Sequence, residues 1–174
     1  MINHQRRLAS LVLAAITAFG LTACGGESDD PAPTVKTSAA PSAEDEATAA
    51  YARYWDVYVQ VSNSGDIDPA AFAGVADGKF LETDLKLLGD QAEAGVVRVG
   101  EPKITDYTTK VDGEKATSTV CLDESQWAAE VDGETIPGSK GGDPTPTPVV
   151  AELAKRDGAW IVTDVKYTEK DGCP

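Results

Sequence analysis

Few residues in this chain are of a type that does chemistry, and their types exclude much. Among 174 residues the single histidine is His4, and the cysteines are Cys24, Cys121 and Cys173. With imidazole confined to the extreme N-terminus, Ser-His-Asp and Cys-His nucleophile systems are excluded from the rest of the chain, as are imidazole metal sites. Proton transfer would fall to carboxylates and phenols. Asp123, and Asp106 with Tyr107, are the candidates, because an acid in an apolar pocket acquires a raised pKa and acts as a base. Asp123 also has a plainer reading: with Ser125 it caps a turn leaving a strand through side-chain to backbone bonds. Trp127 follows directly, as a sheet residue or a pocket wall.

Other chemistries find little support. Asp66-Ile67-Asp68 and Asp29-Asp30 are short acidic runs without the alternating ligands and glycine of a calcium loop. The cysteines are better assigned elsewhere than to zinc, so no metal is expected. No phosphate-cradling glycine loop or dinucleotide fingerprint occurs, so no cofactor is expected. A net charge of −14 argues against nucleic acid as a partner.

The N-terminus reads as an address. Arg6 and Arg7 precede an apolar run over residues 8–19. That is short of the roughly 20 residues a membrane-spanning helix needs, and suits the core of a signal peptide. Leu21-Thr22-Ala23-Cys24 then resembles the lipobox of bacterial lipoproteins. The resemblance implies cleavage before Cys24 and a diacylglycerol on its thiol; the rival reading is an ordinary cysteine behind a conventional cleavage site. Residues 1–23 are thus expected to be a lipoprotein signal peptide, with two or more acyl chains on Cys24 holding the protein at the extracytoplasmic face of the cell membrane. Residues 25–47, rich in Ala, Pro, Ser, Thr and acids, read as a disordered tether behind that cysteine. The remaining pair, Cys121 and Cys173, is expected to form a disulfide in an exported protein, with a reactive dithiol as the alternative.

Residues 48–174 have the size of one domain. Ser42-Ala43-Glu44-Asp45-Glu46 offers a cap and acids for the first turn of a helix. Tyr51, Tyr54, Trp55, Tyr58 and Val61 then recur at spacings of three and four, an aromatic stripe ending near Asn63-Ser64-Gly65. The stripe would be core or would line a ligand pocket. Asp68-Pro69 predicts a second, short helix. A third is expected from Lys79 to Ala94, with Leu81, Leu85, Leu88 and Ala92 on one face and Gly95 ending it. Beyond Val96 the pattern alternates, with turn signals at Asp112-Gly113, Asp132-Gly133 and Asp157-Gly158. Helices followed by four to six antiparallel strands make an α+β domain.

Within that order, four stretches carry a resemblance: Thr119-Val120-Cys121-Leu122-Asp123-Glu124-Ser125-Gln126-Trp127, Val149-Val150-Ala151-Glu152-Leu153, Asp157-Gly158-Ala159-Trp160-Ile161-Val162, and Cys173. Together they resemble the nuclear-transport-factor-two-like (SnoaL-like, ketosteroid-isomerase-like) superfamily, in its small secreted or lipid-anchored actinobacterial form. The resemblance implies three helices on a strongly curved, cone-shaped antiparallel sheet. It does not imply one activity, since this fold hosts enzymes and binders alike. The first expectation is a non-catalytic domain that binds a small apolar ligand or an envelope protein. The alternative is a histidine-free isomerase or cyclase-like enzyme using Asp and Tyr inside the cone.

Overall fold

The structure is a computed structural model and describes residues 40–137, 139, 145–168 and 172–173. The expected signal peptide, the lipobox-like stretch with Cys24 and most of the expected tether lie outside these residues. Among the described residues no helix is long and apolar enough to cross a membrane.

Helix α1 (Ala43–Ser64) opens on a capping box: Asp45 N–H donates to Ser42 Oγ at 3.1 Å, and Ser42 N–H to Asp45 Oδ2 at 3.1 Å. That cap, expected from Ser42-Ala43-Glu44-Asp45-Glu46, brings residues 43–47 into the helix, although their composition also suits the tether. Ala47 is fully buried, and Thr48 Oγ1 meets Thr109 Oγ1 at 2.7 Å on the sheet. Gly65 ends α1 in the left-handed conformation at φ 68°. The expected short second helix is a single 3-10 turn, Pro69–Phe72, started by Asp68, whose carboxylate accepts from Ala70 N–H at 2.9 Å. Among the described residues the three expected helices thus appear as two α-helices and this 3-10 turn. The second, α2 (Lys79–Glu93), buries Leu81 and Leu88.

The strands are β1 (Val96–Gly100), β2 (Lys103–Asp112), β3 (Lys115–Asp123), β4 (Trp127–Val131), β5 (Glu134–Thr135), β6 (Thr147–Arg156) and β7 (Ala159–Tyr167). They form two antiparallel sheets, ordered β1-β4-β5 and β2-β3-β6-β7. The register shows how the sheets are related. Gly100 pairs with Trp127, and Lys103 with Asp123. So β1–β2 and β4–β3 are the two arms of one hairpin, both bent at the same level, by Glu101-Pro102 on one arm and Glu124-Ser125-Gln126 on the other. This corner, with a bulge in β2 between Thr105 and Thr108 and another register shift at Glu152/Leu153, curves the antiparallel sheet around the helices.

The turns follow the dipeptides, with one adjustment. Asp132-Gly133 (φ 52° and 79°) and Asp157-Gly158 (φ 50° and 85°) both place two residues in the left-handed region, as tight hairpins prefer. In the β2–β3 turn Asp112 pairs with Lys115, so the loop is Gly113-Glu114, with only the glycine at positive φ.

Alternation sorts the sheet residues. Ala116, Ser118, Val120 and Leu122 of β3 face inward with Val149, Ala151 and Leu153 of β6 and with Trp160 and Val162 of β7. Against them lie Tyr51, Tyr54 and Trp55 of α1, with Phe72, Leu81 and Leu88. The aromatic stripe is thus mainly core. Its rings contact in series, Tyr51 to Tyr54 at 6.1 Å and Tyr54 to Phe72 at 6.2 Å between centroids. Each such side chain contributes roughly 1.5–3 kcal/mol by leaving water.

Candidate functional site

The corner gathers most of the residues the sequence singled out. Ser125 N–H donates to Asp123 Oδ1 at 2.9 Å, the side-chain turn that lets the arm bend. That bond holds the Asp123 carboxyl below the usual range, with the Ser125 side chain and Lys103 acting in the same direction. A base would need the opposite shift. Trp127 opens β4 beyond the bend and is buried. Its indole N–H donates to Asn63 Oδ1 at 2.8 Å, while Asn63 Nδ2 donates to the Gly100 carbonyl at 2.8 Å. One amide at the end of α1 thereby ties down both arms. The Arg98 guanidinium lies 4.7 Å from the centre of the Trp127 ring. Gly100 sits at φ +83°, and a Cβ there would fall 2.1 Å from the Gln126 carbonyl oxygen. Two residues before the bend, Cys121 is bonded to Cys173 (Cα–Cα 5.7 Å), which fastens the C-terminal segment to β3.

Asp106 and Tyr107 do not act as a pair. They occupy the β2 bulge, where Asp106 takes φ 56° and accepts from Thr105 Oγ1 at 2.7 Å. Asp106 borders a shallow depression on the outer face of the sheet, beside Thr108, Lys110, Thr117 and Thr119. Tyr107 lines a different hollow and packs edge-on against Tyr51 at 6.2 Å.

The acid that does face phenols is Asp84, on α2, which the sequence reading passed over because it lies among polar residues of that helix. It is half-buried, and burial raises its carboxyl pKa. Tyr54, Tyr58 and Tyr167 all feel its charge. Burial, then Asp84 and Glu124, push Tyr58 up to about 12, with Arg98 opposing. Tyr167, on the inward register of β7, is raised by burial of its hydroxyl end and by Glu124, although 55% of the residue is exposed. Tyr58 also touches Trp127 edge-on at 6.2 Å, so this cluster adjoins the corner.

Another hollow lies on the other flank of α1. It is an open groove of about 530 Å³ between that helix and the start of β2. Helix residues Trp55, Asp56, Val59, Gln60 and Asn63 form one wall, and Glu101, Pro102, Ile104 and Tyr107 form the other. Its volume is that of a small-molecule site. Burial raises the Tyr107 phenol, and the Asp56 carboxylate across the groove raises it further, so the hydroxyl stays a donor at neutral pH. Trp55 Nε1 is buried with no hydrogen-bond partner among the described residues, as are Tyr51 Oη and Trp160 Nε1. Among those residues no group of three or more His, Cys, Asp or Glu is placed to hold a metal ion.

No family model matches the chain, and no curated protein matches it in sequence. Solved structures do resemble it. The intermembrane space region of chloroplast protein ARC6 superposes with a TM-score of 0.52 at 13% identity, over 74% of this chain and 98% of that one. The Kfla4162 protein of Kribbella flavida gives 0.49 at 14% identity, over 70% and 89%. An NTF2-like protein with a cystatin-like fold from Novosphingobium aromaticivorans gives 0.46 at 18%, over 74% and 82%. The chain shares its α+β fold with the ARC6 region, and NTF2-like proteins are among the structures similar to it.

Proposed function

We propose that this chain is a lipid-anchored extracytoplasmic protein whose NTF2-like domain binds a ligand or an envelope partner without catalysis. The binding half rests on one observation, the groove between α1 and β2. It combines aromatic walls with polar groups that the fold does not consume: the side chains of Asp56, Gln60 and Glu101 make no hydrogen bond or ion pair within the described residues. Groups left unpaired at the rim of a concave, partly apolar surface are what a ligand site presents. A fragment screen by ligand-observed NMR on the full chain tests it. Hits should vanish in Gln60→Trp, which fills the groove from an exposed position; hits that survive that change would place the site elsewhere.

The anchoring half rests on Leu21-Thr22-Ala23-Cys24 behind the basic and apolar segments. Cys24→Ala should release the protein from membranes into the medium, and a variant that stays membrane-bound contradicts the anchor.

Asp84 favours a second reading, a histidine-free enzyme of the isomerase kind. A carboxyl with a raised pKa facing Tyr54 and Tyr58 has the components of proton abstraction beside a hydrogen-bond donor. Deuterium exchange into an enolisable ketone, faster than buffer and lost in Asp84→Asn, would support it. Exchange at the buffer rate rules it out for that substrate class.

A further inference from the structure

We infer that the groove between α1 and β2 takes a small organic cation, an ammonium group carrying an apolar body. This rests on the groove being a binding site and adds the charge and shape of what it binds.

The carboxylates come from opposite walls, Asp56 from the helix and Glu101 from the bend between β1 and β2. Neither has an ion-pair partner among the described residues, and no lysine or arginine lines the groove. The groove therefore keeps two negative charges facing one space. An anion entering it would meet both. A purely apolar ligand would strip water from two carboxylates and return nothing for it. A cation offsets that loss.

The remaining walls set the rest of the ligand. Tyr107 supplies an aromatic ring, to which an ammonium is attracted electrostatically. Val59, Pro102 and Ile104 give an apolar surface for a hydrocarbon body. A volume of about 530 Å³ accommodates a molecule of this size. Because the whole chain is acidic, its long-range field concentrates cations near the site, so association should weaken with salt.

The test is a series on one skeleton: 3-phenylpropylamine, 3-phenylpropanol and 3-phenylpropionate, titrated calorimetrically into the full chain at pH 7. The amine should bind at least about tenfold more tightly than the alcohol, and the propionate should not bind measurably. Asp56→Asn with Glu101→Gln, both at exposed positions, should bring the amine down to the affinity of the alcohol while the circular dichroism spectrum stays unchanged. Equal affinities for amine and alcohol, both abolished by Gln60→Trp, would overturn the cation inference and leave the groove as a binding site. Amine binding that persists in Gln60→Trp, or no binding by any member of the series, would overturn it together with the groove.

Discussion

At its C-terminal end α1 hands Asn63 to the corner, where the amide bonds the Gly100 carbonyl and the Trp127 indole. One and two turns earlier the same helix leaves the side chains of Gln60 and Asp56 facing the groove with no partner among the described residues. The corner is a place where polar groups are consumed: Asp123 by the Ser125 N–H, Trp127 by Asn63, Arg98 by the Trp127 ring and carbonyl. The groove is a place where they are kept. Such a division is expected when a bend must be rigid and a neighbouring surface must remain free to meet something else. The residues that first looked chemical, Asp123, Ser125 and Trp127, belong to the rigid side.

If the corner is structural, its substitutions should cost stability and those in the groove should not. Gly100→Ala should have the largest effect, about 4 kcal/mol or more by urea unfolding, since it combines positive φ with a backbone clash. Gly113→Ala, with positive φ but open space around it, should lose only about 1 kcal/mol. Next comes the staple. Cys173→Ser opens a loop of 52 positions and should cost up to roughly 4 kcal/mol in the chain-entropy model, read as a lowered unfolding midpoint. Asn63→Ala leaves the Trp127 N–H buried and unpaired, which should cost about 1–3 kcal/mol.

Asp84→Asn should act in the opposite sense and more weakly. A carboxyl whose folded pKa is raised favours the folded state when protonated, so it adds stability below the unfolded value and loses it as pH rises through the folded one. At pH 7 the variant should therefore be the more stable. The gain should stay below about 1 kcal/mol, because the group is half-exposed and screened, and should disappear below about pH 4. Asp56→Asn should do least, within about 0.5 kcal/mol at any pH above 5. A substitution of Asp56 or Gln60 as damaging as Asn63→Ala, whose amide borders the groove but is bonded into the corner, would erase the distinction between the two regions.

Much of the fold was legible because it is local. The stripe from Tyr51 to Val61 has the helical period, and Asp-Gly marks hairpins whose geometry only a few residue types accept. The start of α1 was legible in Ser42-Ala43-Glu44-Asp45-Glu46 as a cap and acidic first turn, although composition also drew residues 43–47 into the tether; the reciprocal bonds of Ser42 and Asp45 decide for the helix. Asp68-Pro69 signalled a helical start correctly, yet the chain turned once and stopped, since Gly74 adopts φ +70° two residues past the turn. The corner was half-legible: Asp123 and Ser125 lie two apart, whereas Asn63 reaches Trp127 across 64 positions. Asp106 and Tyr107 show how a single bulge defeats reading by adjacency. The groove was invisible, because Asp56 and Gln60 look like any solvated helix face until β2 and Glu101 are set opposite them.

The chain has three tryptophans, and they report on three different regions. Trp55 lines the groove, Trp127 is bonded at the corner, and Trp160 is buried on β7 beside Lys155. Their indole N–H signals in a nitrogen–proton correlation spectrum of the full chain, followed during titration with 3-phenylpropylamine, test the division directly. The Trp55 signal should move with saturation while those of Trp127 and Trp160 stay nearly fixed. Movement confined to Trp127 or Trp160, or no movement at all, would contradict the groove as the place where this protein meets its ligand.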